Sequence, residues 1–134
     1  MGTSFTRKLI LEKLNHPRLW RVHREFEYHV GKYPSNDIIK IPCGFQTDLA
    51  STPRVTWILF PPDGRYTQAA VVHDYLYHVQ SRPRRAADKI FFEAMTVLGV
   101  GLLTRKIMYR AVRLAGWLPW KKHRKNIDTK QIEE

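Results

Sequence analysis

A single cysteine, Cys43, occurs among the 134 residues. That excludes an intrachain disulfide and a cysteine-built metal cluster. It also predicts synthesis in a reducing, cytoplasmic setting, with Cys43 as a small buried residue. Acidic side chains are scarce too: 12 Asp and Glu stand against 23 Lys and Arg, a formal net charge of +11. The excess is uneven and gathers in "SRPRR", "TRKIMYRAVR" and "WKKHRK". It calls for an anionic partner (a membrane lipid surface, an acidic protein or nucleic acid) or serves solubility alone. Long apolar runs are missing. The longest, such as "VLGVGLL", falls far short of the roughly 20 residues of a membrane-spanning helix. The start, "MGTSFTRKLILEKLNHPR", is charged throughout and lacks a signal-peptide core. There is no internal repeat and no low-complexity linker. With 43% apolar residues, the length suits one domain with one modest core.

The period of the apolar residues changes along the chain. In "LWRVHREFEYHV", Trp20, Val22, Phe26, Tyr28 and Val30 share one face and Arg21, His23, Glu25 and Glu27 the other, as a half-buried strand requires. "GKYPSND" is turn chemistry, and "IIKIPCGF" reads as a second, antiparallel strand. Phe5–Leu14 is a further strand candidate. "QTDLASTPR" then reads as a loop, and "WILFPPDGRYT" as an apolar stretch ending in a turn at Pro61–Gly64.

From about Tyr66 the spacing becomes helical. Ala69, Val72, His73, Leu76 and Val79 recur at steps of three and four. Ser81-Arg82-Pro83 ends that helix. A second runs from about Arg84 to Leu98, with Ala87, Ile90, Phe91, Ala94, Met95 and Leu98 as its stripe. A third runs from about Thr104, a suitable N-cap, to Ala115, with Ile107, Met108, Ala111, Val112 and Ala115 inward and Gly116 as C-terminal cap. Strands followed by helices predict an α+β class. One domain is expected over 1–120, with antiparallel strands before a three-helix part built on a helix pair, and a basic, frayed polar tail over 121–134.

Three polar residues stand where a core prefers leucine. His73 and Tyr77, four apart, share a helix face, and Asp74 is rotated by about 100° from His73. Asp88 lies near the start of the next helix, so a helix hairpin brings it to His73 or Tyr77. A histidine whose second nitrogen is fixed by a carboxylate is a general base. A neighbouring carboxylate can hold a hard cation, and a cation stabilises an oxyanion. These parts describe attack of water on an ester without a covalent nucleophile. The same residues can also be a buried hydrogen-bonded pair that sets helix register, with Asp74 in solvent. His78 reads as a surface residue.

Two resemblances bear on this choice. "GFQTDLASTPR", "HDYLY" and "AADKIFF" together resemble a family of small phage and prophage proteins carried as a domain of unknown function. Its pattern is GF-x-TD-x-AS-x-PR, HD-x-x-Y and AD-x-x-F, and the likeness spans Ile39 to about Gly116. It implies a phage or prophage origin, made in the host cytoplasm, whether virion-borne or not. Locally, H-D-x-x-Y (His73, Asp74, Tyr77) and D-x-x-F-x-x-x-M (Asp88, Phe91, Met95) resemble the active-site helix pair of type-two phospholipases A of the bacterial kind. That resemblance implies that His73 activates water, Asp88 orients His73 and Tyr77 bonds to Asp88. It also implies that Asp74 ligates calcium. The glycine-rich, cysteine-flanked calcium loop of those enzymes and their paired disulfides are missing, so Asp48 or the "FPPDGRY" loop would have to complete a metal site.

Asp48, Ser51 and Arg54 follow a strand in a loop, where sites are often built. Asp48 is a candidate metal ligand, and Ser51 and Arg54 are candidate substrate-binding residues. Asp48 and Ser51 are also ordinary turn and cap formers. Near the end, Trp117 and Trp120 sit beside Lys121, Lys122, Arg124 and Lys125, a mixture suited to an anionic membrane interface or to nucleic-acid phosphates. The expected function is therefore a phage-derived His–Asp hydrolase acting on an ester such as phospholipid. The alternatives are a non-enzymatic virion, tail or host-interaction protein and, third, a nucleic-acid binder.

Overall fold

The computed structural model describes residues 4–15, 19–47 and 66–133. Among the described residues, five short strands come first: β1 (Leu11–Lys13), β2 (Trp20–Val22), β3 (Phe26–His29), β4 (Ile38–Ile41) and β5 (Gln46–Thr47). Four described helices follow: α1 (Thr67–Val79), α2 (Arg84–Val97), α3 (Leu102–Ala115) and α4 (Trp117–Glu133). The arrangement is α+β, as the order of periodicities predicts.

The alternating segment 19–30 is not one strand but two. It bends at His23-Arg24 and changes partners there. β2 sits in a three-stranded antiparallel sheet, β1-β2-β5, whereas β3 pairs antiparallel with β4, with Phe26 opposite Ile41 and Tyr28 opposite Ile39. Three residues separate the two strands, so the parity of the pattern survives the bend. Val22, Phe26 and Tyr28 all remain buried. The Phe5–Leu14 segment supplies β1 and a bridge from Phe5 to Tyr28. Cys43, expected inside, is exposed, with its Sγ donating to the His23 carbonyl.

Both sheets lay their apolar faces on the helices. Ile39 and Ile41 join Val71, Val72, Leu76, Phe91 and Met95 in one core. Helix α1 is buried on nearly every side, which its Ala-Ala-Val-Val start permits by letting neighbours approach closely. It ends at Gln80, whose positive φ of 50° turns the chain and whose N–H caps Leu76. Pro83 cannot continue a helix, so α2 starts at Arg84. Polar ties fix the sheet to this helix pair. Arg82 grips both carboxylate oxygens of Asp37, and Glu93 accepts from the Tyr28 hydroxyl and the Gly31 N–H.

Four details of the helical part differ from expectation. Helix α3 starts two residues early, with Gly101 rather than Thr104 at its N-cap. It buries Met108 and Val112 but leaves Ile107 exposed. The polar stretch from Lys121 is helical and packs back on α1 as part of α4, adding a fourth helix to the three expected. Gly116 does not adopt the left-handed conformation of a typical glycine cap; its φ is −67°. Glycine is needed there for closeness. A Cβ would press on the Val112 carbonyl oxygen and the Tyr77 hydroxyl, and would lie 3.1 Å from an Arg84 Nη1. Gly116→Ala is therefore expected to destabilise the protein by about 1–3 kcal/mol, because the neighbours include backbone and a buried hydroxyl that cannot step aside. Urea unfolding of the variant checks this.

Candidate functional site

Helices α1 and α2 pack directly against each other, and their seam carries the three polar residues. His73 Nε2 lies 2.7 Å from Asp88 Oδ1. The Tyr77 hydroxyl donates to the same oxygen at 2.7 Å. The other carboxylate oxygen accepts from Arg113 Nη1 at 2.7 Å, and Arg84 Nη1 stands 3.5 Å away. Helical geometry explains the grouping: His73 and Tyr77 are one turn apart on α1, Arg84 and Asp88 one turn apart on α2, and α3 brings Arg113 from the far side.

Ionised Asp88 only accepts, so the hydrogen between it and His73 belongs to Nε2. The imidazole is held on both sides by rings, with Tyr77 at 4.3 Å and Phe91 at 4.7 Å between centroids. Its other nitrogen, Nδ1, is buried and has no hydrogen-bond partner among the described residues. Neither His73 nor Asp88 has exposed surface.

The electrostatics follow from the contacts. Burial pushes the Asp88 carboxyl up, but bonds from His73, Tyr77 and Arg113 outweigh it and hold the group below the usual carboxylate range. Burial, and then the Asp88 carboxylate, push the Tyr77 phenol well above its ordinary value, so Tyr77 is a donor at any physiological pH.

Asp74 faces elsewhere and is not in solvent. It is buried; its Oδ2 accepts from the Thr47 hydroxyl at 2.6 Å, and its Oδ1 lies 3.4 Å from His78 Nδ1. His78 is half-buried rather than a free surface residue, and its ring stacks on His123 of α4 at 3.8 Å. Burial and the nearby His78 hold the His123 imidazole below its ordinary value. Calcium takes six to eight oxygen donors; around Asp74 the described groups that could hold an ion are its own carboxylate and the imidazoles of His78 and His123. Asp48, Ser51 and Arg54, with the turn expected at Pro61–Gly64, lie outside the described residues.

Sequence reasoning brought His73, Tyr77 and Asp88 together and missed Arg84 and Arg113 as partners of Asp88, and Thr47, His78 and His123 as the group around Asp74. The i, i+4 spacing of Arg84 to Asp88 and of Asp74 to His78 carried a readable signal. Nothing local pointed to Arg113 or His123. Of the two tryptophans, Trp120 packs edge-on to Tyr77 at 5.1 Å, while Trp117 is exposed. Among the described residues, no helix is long and apolar enough to cross a membrane.

Fold and seam together define a small α+β protein with a buried, carboxylate-braced histidine between two helices. The chain belongs to the DUF1353 family, described as proteins of unknown function, whose pattern matches residues 20–112. That span contains His73, Asp74, Tyr77 and Asp88, while Arg113 and His123 lie beyond it. The chain is also 35% identical over 78 residues to the uncharacterized protein y4jT of Sinorhizobium fredii (strain NBRC 101917 / NGR234). The match takes in 57% of this chain and 23% of y4jT, so it corresponds to about a quarter of that relative. No solved structure matches the chain.

Proposed function

We propose that the protein is a phage-derived hydrolase that cleaves an ester, of phospholipid type, at an anionic membrane surface. The observation that carries the reading is the orphan Nδ1 of His73, set opposite a nitrogen fixed by Asp88. Leaving a buried polar atom unmatched costs stability, and a purely structural pair has no use for it. A general base needs it. Nδ1 takes a proton from water as the water oxygen bonds to the ester carbonyl carbon. The tetrahedral intermediate then expels the alcohol oxygen, which receives that proton from Nδ1. Asp88 holds the ring and stabilises the transient imidazolium, and Tyr77 and Arg113 hold Asp88. No step is assigned to a calcium ion. Because the ring is covered, catalysis requires the packing over it to open when substrate binds.

The surface of α3 and α4 supports the lipid. Leu103, Ile107 and Leu114 share a helix face, with Leu103 73% and Leu114 78% exposed, and Trp117 and Leu118 extend the apolar area. Lys106, Arg110, Lys121 and Lys122 border it, as anionic headgroups require. Co-sedimentation with phosphatidylglycerol vesicles checks the surface. Leu103→Glu/Leu114→Glu is expected to weaken binding at least about tenfold, since two buried leucines contribute a few kcal/mol. The enzymatic reading is tested by fatty-acid release from the same vesicles; no release at any protein concentration would overturn it.

The zero exposure of His73 and Asp88 favours a second reading. There the network is a strut that locks three helices, and the phage protein is a non-enzymatic virion or host-interaction module. It expects stability changes without turnover.

A further inference from the structure

We propose that Asp74, His78 and His123 form a site for a borderline divalent ion of the zinc class, a site that does not depend on the hydrolase reading. One donor atom from each of these residues lies within 4.8 Å of the others. The 3.4 Å between Asp74 Oδ1 and His78 Nδ1 is close to the roughly 3.3 Å between two donors about 2.0–2.1 Å from one tetrahedral ion. That nitrogen donates to the Asp74 carbonyl at 2.9 Å, and an ion would take the place of its proton. His123 is brought alongside by α4, its ring stacked on that of His78.

The outer contacts are those a metal site needs. The Thr47 hydroxyl donates to the second oxygen of Asp74 and so fixes how the carboxylate points. The two imidazoles line a cleft of about 510 Å³ with Gln46, Asn126 and Thr129. Lys122 lines the same cleft and opposes added positive charge, which the Asp74 carboxylate offsets. Two nitrogens and one oxygen select zinc, cobalt or their neighbours over calcium and magnesium. The sites ranked by sequence as calcium-binding and as mere surface therefore combine into one with different metal chemistry.

Titration of the purified chain with zinc by calorimetry, and with cobalt by visible absorption, tests the proposal. Neither readout needs turnover, so failure here and failure of the hydrolase reading are separable. The expected result is one zinc per chain, displacement of cobalt with its tetrahedral absorption bands, and no comparable calcium binding. His78→Ala and His123→Ala should each weaken zinc by more than about 100-fold, and Thr47→Val by about 10–100-fold, as an outer contact does. The proposal is overturned if wild type binds neither zinc nor cobalt. It is equally overturned if binding survives in the His78→Ala/His123→Ala double variant, or if calcium binds more tightly than zinc.

Discussion

Replacing Asp88 by alanine is expected to cost about 3–5 kcal/mol of folding stability, the range for breaking a buried ion pair from one side. The reason lies in who is left behind. His73 Nε2–H and the fully buried Tyr77 hydroxyl lose a shared acceptor, and Arg113 loses its anion. Arg84 retains bonds to the Val112 and Arg113 carbonyls, so its share of the loss is small. An internal control is available. Asp37→Ala breaks the pair with Arg82, in which both side chains are partly exposed, and should cost under about 1 kcal/mol. Urea denaturation at neutral pH measures both. If Asp88→Ala costs no more than Asp37→Ala, the network is not what holds the helices in register.

The same carboxylate sets an acid dependence. Asp88 titrates lower in the folded protein than the roughly 3.9 of an unfolded aspartate. In acid the unfolded chain therefore binds its proton first. The stability contributed by Asp88 is complete above about pH 4–5 and is lost as pH falls through its depressed folded value. In Asp88→Ala this part of the acid sensitivity should disappear, so wild type and variant converge in stability as pH falls below 4.

The second large effect concerns His73. Removing a general base lowers turnover by about 10²–10⁴-fold, and His73→Ala should do this to fatty-acid release from anionic vesicles. Alanine also removes a donor to Asp88 and leaves a void, so a folding defect would mimic a catalytic one. His73→Gln separates them. Its amide N–H can still reach Asp88, but it has no basic nitrogen in place of Nδ1. A well-folded glutamine variant with the same loss of release supports Nδ1 as the base. Unchanged release in that variant would place the chemistry elsewhere. A wild type without release, together with a lowered melting temperature in both variants, would leave the network as a strut.

The sequence by itself determined the α+β order, the helix pair and the meeting of His73, Tyr77 and Asp88. Each rests on short-range regularities: period two in the strands, period 3.6 in the helices, a proline at the turn, and polar residues one turn apart. The α1–α2 turn is short, so little freedom remained in which faces could meet. Tertiary structure alone decided the rest. Alternation cannot tell one bent strand from two strands in different sheets, because parity is the same in both. Arg113 reaches Asp88, and His123 reaches His78, only because α3 and α4 fold back across α1 and α2, from 25 residues away in one case and from a segment whose polarity suggested a free tail in the other. Burial of Asp74 and closure over His73 likewise depend on how layers pack, and packing is a property of distant surfaces meeting rather than of any local run of residues.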